Sequence, residues 1–153
     1  MLLEDDVVDA VVAFVGSKGW VIESTAHAHE RGDDIVAFKG DERLLVEAKG
    51  AGSSKVTTRR YGEHFTGNQV ASHIGVAVVR ALRWASNGNE RPALAFPDNP
   101  HHRSRVKDIA PALALGFKGS LQHPDRMGVL SWQVEDVRGC HGRWSVSSGG
   151  RLP

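Results

Sequence analysis

Residues 32–50 read Gly32-Asp33-Asp34-Ile35-Val36-Ala37-Phe38-Lys39-Gly40-Asp41-Glu42-Arg43-Leu44-Leu45-Val46-Glu47-Ala48-Lys49-Gly50. Segments 35–38 and 44–48 are short, apolar and rich in β-favouring residues, and the Lys39-Gly40-Asp41-Glu42 step between them is turn chemistry. The stretch therefore predicts a β-hairpin. Antiparallel pairing puts Asp34, at the start of the first strand, close to Glu47, near the end of the second. Lys49 lies two residues past Glu47 and points to the same face, whereas Asp33 alternates away from Asp34.

Two hard anionic ligands with open coordination positions suit Mg²⁺ or Mn²⁺, which prefer oxygen and retain several waters. A lysine beside them can orient or deprotonate a metal-bound water, and that water can attack a phosphodiester while the ion neutralises charge on the phosphate. A bare acidic-x-Lys triplet arises by chance roughly once per 150 residues, so the triplet alone carries no weight. Its context does: an apolar run leads into Glu47, a turn precedes that run, and an aspartate opens the preceding strand. The competing expectation is a solvated strand face that happens to bear Glu47 and Lys49.

Asp34, twelve intervening residues and then Glu47-Ala48-Lys49 resemble the PD-(D/E)xK nuclease superfamily, with Gly32-Asp33-Asp34 in place of the Pro-Asp of its name. The short Asp-Ile-Val-Ala strand and the apolar run into Glu-Ala-Lys-Gly are similar to the Holliday-junction-resolvase and Mrr-like restriction branch. The likeness covers roughly residues 4–96. It implies a restriction-endonuclease-like core and an Mg²⁺- or Mn²⁺-dependent deoxyribonuclease, an endonuclease or exonuclease with the former favoured. Asp34 and Glu47 would hold the ion, the Ala48 carbonyl would be a third ligand, and Lys49 would activate water. The resemblance also implies a glutamate from the first helix, best matched by Glu4, and a helper glutamine on the helix after the Glu-x-Lys strand, matched by Gln69. His73, where relatives often carry a tyrosine or another residue, is assigned to nucleic-acid contact.

The 153 residues are 41 % hydrophobic and 24 % charged, ordinary values for a globular protein. One α/β domain over 1–137 is expected, a central mixed sheet of four to five strands flanked by helices, followed by a Gly/Ser-rich tail over 138–153, mobile or an oligomer contact. The net charge is only +1, so no global basic field points to nucleic acid and any DNA contact must be local. Cys140 is the single cysteine, which excludes an intrachain disulfide and fits a reducing, cytoplasmic setting. Glu4, Asp5 and Asp6 stand where a signal peptide would be basic, and no apolar stretch approaches the 18 or so residues of a membrane span.

Along the chain, Leu3, Val7, Val8, Val11, Phe14 and Val15 give a helix over 2–17 with Glu4 on its core-facing side, an odd place for a carboxylate. A strand over 20–25 and a polar loop over 26–32 follow; its His27 and His29 are read as exposed rather than metal-binding, for want of a third soft ligand. Segment 50–62 is rich in Gly and hydroxyls. Ser53, Ser54, Lys55, Arg59 and Arg60 in it are expected to contact phosphate. A helix over 68–84 is expected to start at an Asn68 cap, with Gln69, His73 and Arg80 sharing a polar face beside its buried stripe. After a turn that includes Pro92, a strand is expected over 93–96. A further helix has Ser104 as cap, Pro111 as a kink or restart, and His101, His102, Arg103, Arg105 and Lys107 as a second phosphate cluster. The last strand is expected over 128–134. Small nucleases of the resembled type often pair about a two-fold axis, so a homodimer is a working hypothesis. Two rival readings stand beside the nuclease: a catalytically silent DNA-binding or accessory protein of the same fold, and a non-nuclease α/β protein whose acidic pair is fortuitous.

Overall fold

The computed structural model describes residues 1–28, 30–54, 57, 61–87, 90–118, 128–132 and 143–145. The elements run α1 (Glu4–Ser17), β1 (Val21–Thr25), β2 (Ile35–Lys39), β3 (Glu42–Ala48), α2 (Gly67–Ser86), β4 (Glu90–Pro97), α3 (Pro100–Lys118), β5 (Gly128–Trp132) and β6 (Arg143–Ser145). This is an α/β chain with a mixed open sheet in the order β1-β2-β3-β4-β5-β6. β1, β2 and β3 form an antiparallel meander, and β3, β4 and β5 run parallel. The hairpin closes through Gly40 and Asp41 between the paired Lys39 and Glu42, with Gly40 at φ +60°, a conformation that suits glycine.

Strands β2, β3 and β4 are buried on both faces over most of their length, because helices cover both, whereas β1 is largely exposed. On one face α1 packs Val7, Val8, Val11, Phe14 and Val15 against Ile35, Ala37, Leu44, Val46, Ala48, Ala93 and Ala95. On the other, α2 packs Val70, Ile74, Ala77, Ala81 and Trp84 against Val36, Leu45, Leu94 and Phe96, with Val106, Ile109 and Leu113 of α3 alongside. The alternation of period two within β3 thus sends Leu44, Val46 and Ala48 to α1 and Leu45 to α2. Glu47, next in the Leu45 series, faces α2.

Several expected boundaries shift. The sheet has six strands rather than four to five, because Arg143–Ser145, inside the segment read as a tail, pairs with β5. A three-residue strand is too short to show alternation in sequence. β4 begins before Pro92 rather than after it; pairing with β5 starts only at Ala93, so the proline removes no donor from that ladder. The cap of α2 is Thr66, whose hydroxyl accepts from the Gln69 amide at 3.4 Å, not Asn68. α3 starts at Pro100, with the Asn99 side chain accepting from the His102 amide at 3.0 Å. Ser104 is therefore inside the helix, and Asn followed by Pro is the stronger start signal. Helix α3 also continues through Pro111 instead of restarting there.

The candidate metal and phosphodiester site

Three segments meet at the end of β3. Asp34 and Glu47 flank the last hairpin pair, Ile35 with Val46, and the Asp34 carboxylate accepts a hydrogen bond from the Ala48 amide at 2.7 Å. The Lys49 ammonium lies 2.7 Å from Glu47 Oε1, 3.8 Å from Asp34 Oδ2 and 3.6 Å from Glu4 Oε2, and donates to the Ala48 carbonyl at 2.7 Å. One cation thus touches all four groups that the sequence assigned to the ion.

Glu4 reaches this point because the start of α1 lies against the chain just past β3. Gly50 makes that approach possible: a Cβ there would stand 2.5 Å from the Glu4 nitrogen and 2.8 Å from the Leu3 carbonyl carbon. The neighbouring acids have other tasks. Asp6 accepts from the Leu3 amide at 2.7 Å, Asp5 from the Ala28 amide at 2.7 Å, and Asp9 pairs with His27 at 3.1 Å. Of the acids in the first turns of α1, Glu4 is the one directed to Lys49.

The sequence reading missed the second cation. Arg80 Nη1 lies 2.7 Å from Glu47 Oε2, an ion pair whose N–H is not well aligned for a hydrogen bond. Its Nη2 donates to the Gly32 carbonyl at 2.7 Å and to Asp33 Oδ1 at 3.0 Å. The guanidinium lies 5.4 Å over Trp84, a cation–π contact. The available signal was its shared polar face with Gln69 and His73. Asp33 turns away from the ammonium, as alternation requires, but returns to the site as the anchor of Arg80.

Electrostatics follow from this crowding. Burial and the neighbouring Glu47 raise the Asp34 carboxyl to about 6, although Lys49 and the Ala48 amide oppose the rise. Burial alone would lower the Lys49 ammonium, but Asp34, Glu47 and Glu4 outweigh it and hold its pKa above the ordinary lysine value. Lys49 is accordingly a firm ammonium at neutral pH. Burial likewise opposes, and Glu47, Asp34 and Asp33 more than restore, the charge on Arg80.

The donor set fits a small divalent cation in part. Two carboxylates, a backbone carbonyl and a nearby third carboxylate supply hard oxygen, and Mg²⁺ and Mn²⁺ leave their remaining positions to water. Among the described residues, the carboxylates of Glu4, Asp33, Asp34 and Glu47 pair with two cations, Lys49 and Arg80. Among the described residues, no three His, Cys, Asp or Glu side chains form a group that could by itself hold an ion.

The remaining predicted residues divide. Gln69 is engaged at the helix cap, its Oε1 3.0 Å from the Thr66 amide, rather than turned to the carboxylates. His73 stacks edge-on against Phe65 at 4.4 Å, and burial and Lys49 lower its pKa, so it is neutral at physiological pH. Ser53 and Ser54 lie on a loop tied at its base, where the Ser53 amide donates to the Glu63 carbonyl and Gly52 bridges His64. Lys55, Arg59, Arg60 and His29 fall outside the described residues. In the second basic cluster, His102 is buried and stacked 5.9 Å from Phe96, with burial lowering it to about 4. It is a core residue and no phosphate cation. Arg103 pairs with Asp98 at 2.7 Å.

Compared with protein-family models, with characterised proteins and with solved structures, the chain matches none. The superfamily resemblance rests on the motif residues alone. Among the described residues, no helix is long and apolar enough to cross a membrane.

Proposed function

We propose that the protein is an Mg²⁺- or Mn²⁺-dependent nuclease that hydrolyses DNA phosphodiester bonds on a restriction-endonuclease-like core. The observation that carries this reading is the convergence of Asp34, Glu47 and the Ala48 carbonyl on Lys49. A divalent ion held by these oxygens would supply Lewis-acid polarisation of the phosphate. Asp34 and Glu47 fix the position of that charge, and Glu4 adds a third carboxylate at the rim. Lys49, held as an ammonium by Asp34, Glu47 and Glu4, orients the attacking water and offsets charge on the phosphate. Ser53 and Ser54, on the loop that follows β3, supply phosphate contacts in this reading, and Lys55, Arg59 and Arg60 the cationic ones. A two-fold homodimer would offer one site per strand; a monomer by light scattering, with and without DNA, removes the dimer from the proposal.

The test is cleavage of supercoiled plasmid, single-stranded and four-way-junction DNA with Mg²⁺ or Mn²⁺. Cutting by the wild type that is lost in Asp34→Ala and Lys49→Ala is the expected result. One observation favours a second reading, the silent DNA-binding protein: both oxygens of Glu47 are already paired by cations. DNA binding with no cleavage of any substrate selects that reading.

A further inference from the structure

The two cations on Glu47 are held differently. Lys49 sits at Oε1 among Asp34, Glu4 and the Ala48 carbonyl, so its ammonium occupies the point on which those oxygens converge. Arg80 sits at Oε2 and is anchored from behind by Gly32, Asp33 and the Trp84 ring. Glu47 is 1 % exposed, and a carboxylate this buried needs a lasting counter-ion and a fixed orientation. An ammonium that yields its place to an incoming ion cannot provide either.

We propose that Arg80 is the positioning residue of the site: it holds Glu47 by Oε2 so that Oε1 faces Asp34 and the Ala48 carbonyl, while Lys49 is the exchangeable occupant of the ion's place. The proposal rests on the reading of Asp34 and Glu47 as ion ligands. It separates positioning from plain electrostatics, because Arg80 and Lys49 each place one positive charge on the same carboxylate. If charge alone mattered, removing either would favour a divalent ion to a similar degree.

The experiment is calorimetric titration of Mn²⁺ into the wild type, Lys49→Met, Arg80→Gln, Arg80→Lys and Glu47→Gln, without DNA. Lys49→Met is expected to bind Mn²⁺ about tenfold more tightly, the effect of one competing charge-assisted contact. Arg80→Gln is expected to bind at least tenfold more weakly, with Arg80→Lys, which keeps the charge but not the two-armed reach, recovering part of the loss. Arg80→Gln that binds as tightly as the wild type, or more tightly, overturns the positioning role while leaving the ion site intact, provided Glu47→Gln still abolishes binding. Should Arg80→Gln fail to fold, Arg80→Lys carries the test: a weakening of about threefold supports the role, and no change or a tightening refutes it. Absence of Mn²⁺ binding in both the wild type and Lys49→Met overturns the ion-site reading and this inference together.

Discussion

Lys49 Nζ lies 2.7 Å from Glu47 Oε1, two residues back along the same strand edge, and the pair is mostly withdrawn from solvent. Removing the ammonium takes away the group that orients water. Lys49→Ala is expected to lower cleavage by at least about a hundredfold, the usual scale for a positioned proton-handling or orienting group. DNA affinity measured with Ca²⁺ in place of Mg²⁺ should stay within a few-fold. Unchanged cleavage would remove Lys49 from the reaction.

Asp34 makes stability fall as pH rises. Its carboxyl is raised to about 6 in the folded chain from an ordinary 3.8, so the folded state binds the extra proton between those values. The associated stability is fully present below about pH 4 and is lost as pH rises through about 6. The shift corresponds to about 3 kcal/mol as an upper bound. Asp34→Asn, which can still accept from the Ala48 amide, should therefore be more stable than the wild type at pH 8 and not at pH 4. Urea unfolding without divalent ions at both pH values checks this; equal stability differences at the two would contradict it.

Divalent ions should reverse that penalty. At an Mn²⁺ concentration ten times its dissociation constant, the folded state gains about 1.4 kcal/mol. The urea midpoint of the wild type is expected to rise accordingly, and those of Asp34→Asn and Glu47→Gln to stay where they were. A rise of equal size in all three would place the bound ion elsewhere.

Gly50 lies where the start of α1 packs against the chain just past β3. A methyl group there would meet backbone rather than a flexible side chain, at 2.5 Å from the Glu4 nitrogen, so α1 must shift. Gly50→Ala is expected to cost about 1–3 kcal/mol in urea unfolding, the range of overpacking. It should also draw Glu4 away from Lys49 and weaken Mn²⁺ binding. A variant as stable as the wild type would show that the helix start yields without strain.

The hairpin, the buried stripe of α1 and the face shared by Asp34, Glu47 and Lys49 are legible in the chain before it folds, because they follow from periods of two and of 3.6 residues and from one tight turn. Such rules act within a few residues of chain. They carried Glu4 as far as the core-facing side of its helix, and only the close approach at Gly50 turned it towards Lys49. Arg80 was legible as polar and no further: its contacts with Glu47, Asp33 and Gly32 span 33 to 48 residues of chain, and no local period encodes a meeting of that range. The basic run at the start of α3 shows the opposite limit. His101 to Lys107 look alike in sequence, yet packing against Phe96 buries His102 and leaves it neutral, because charge state is set by what surrounds a side chain once the layers close. Local chemistry chose which groups could form the site, and the tertiary structure decided which of them meet and in what charge state.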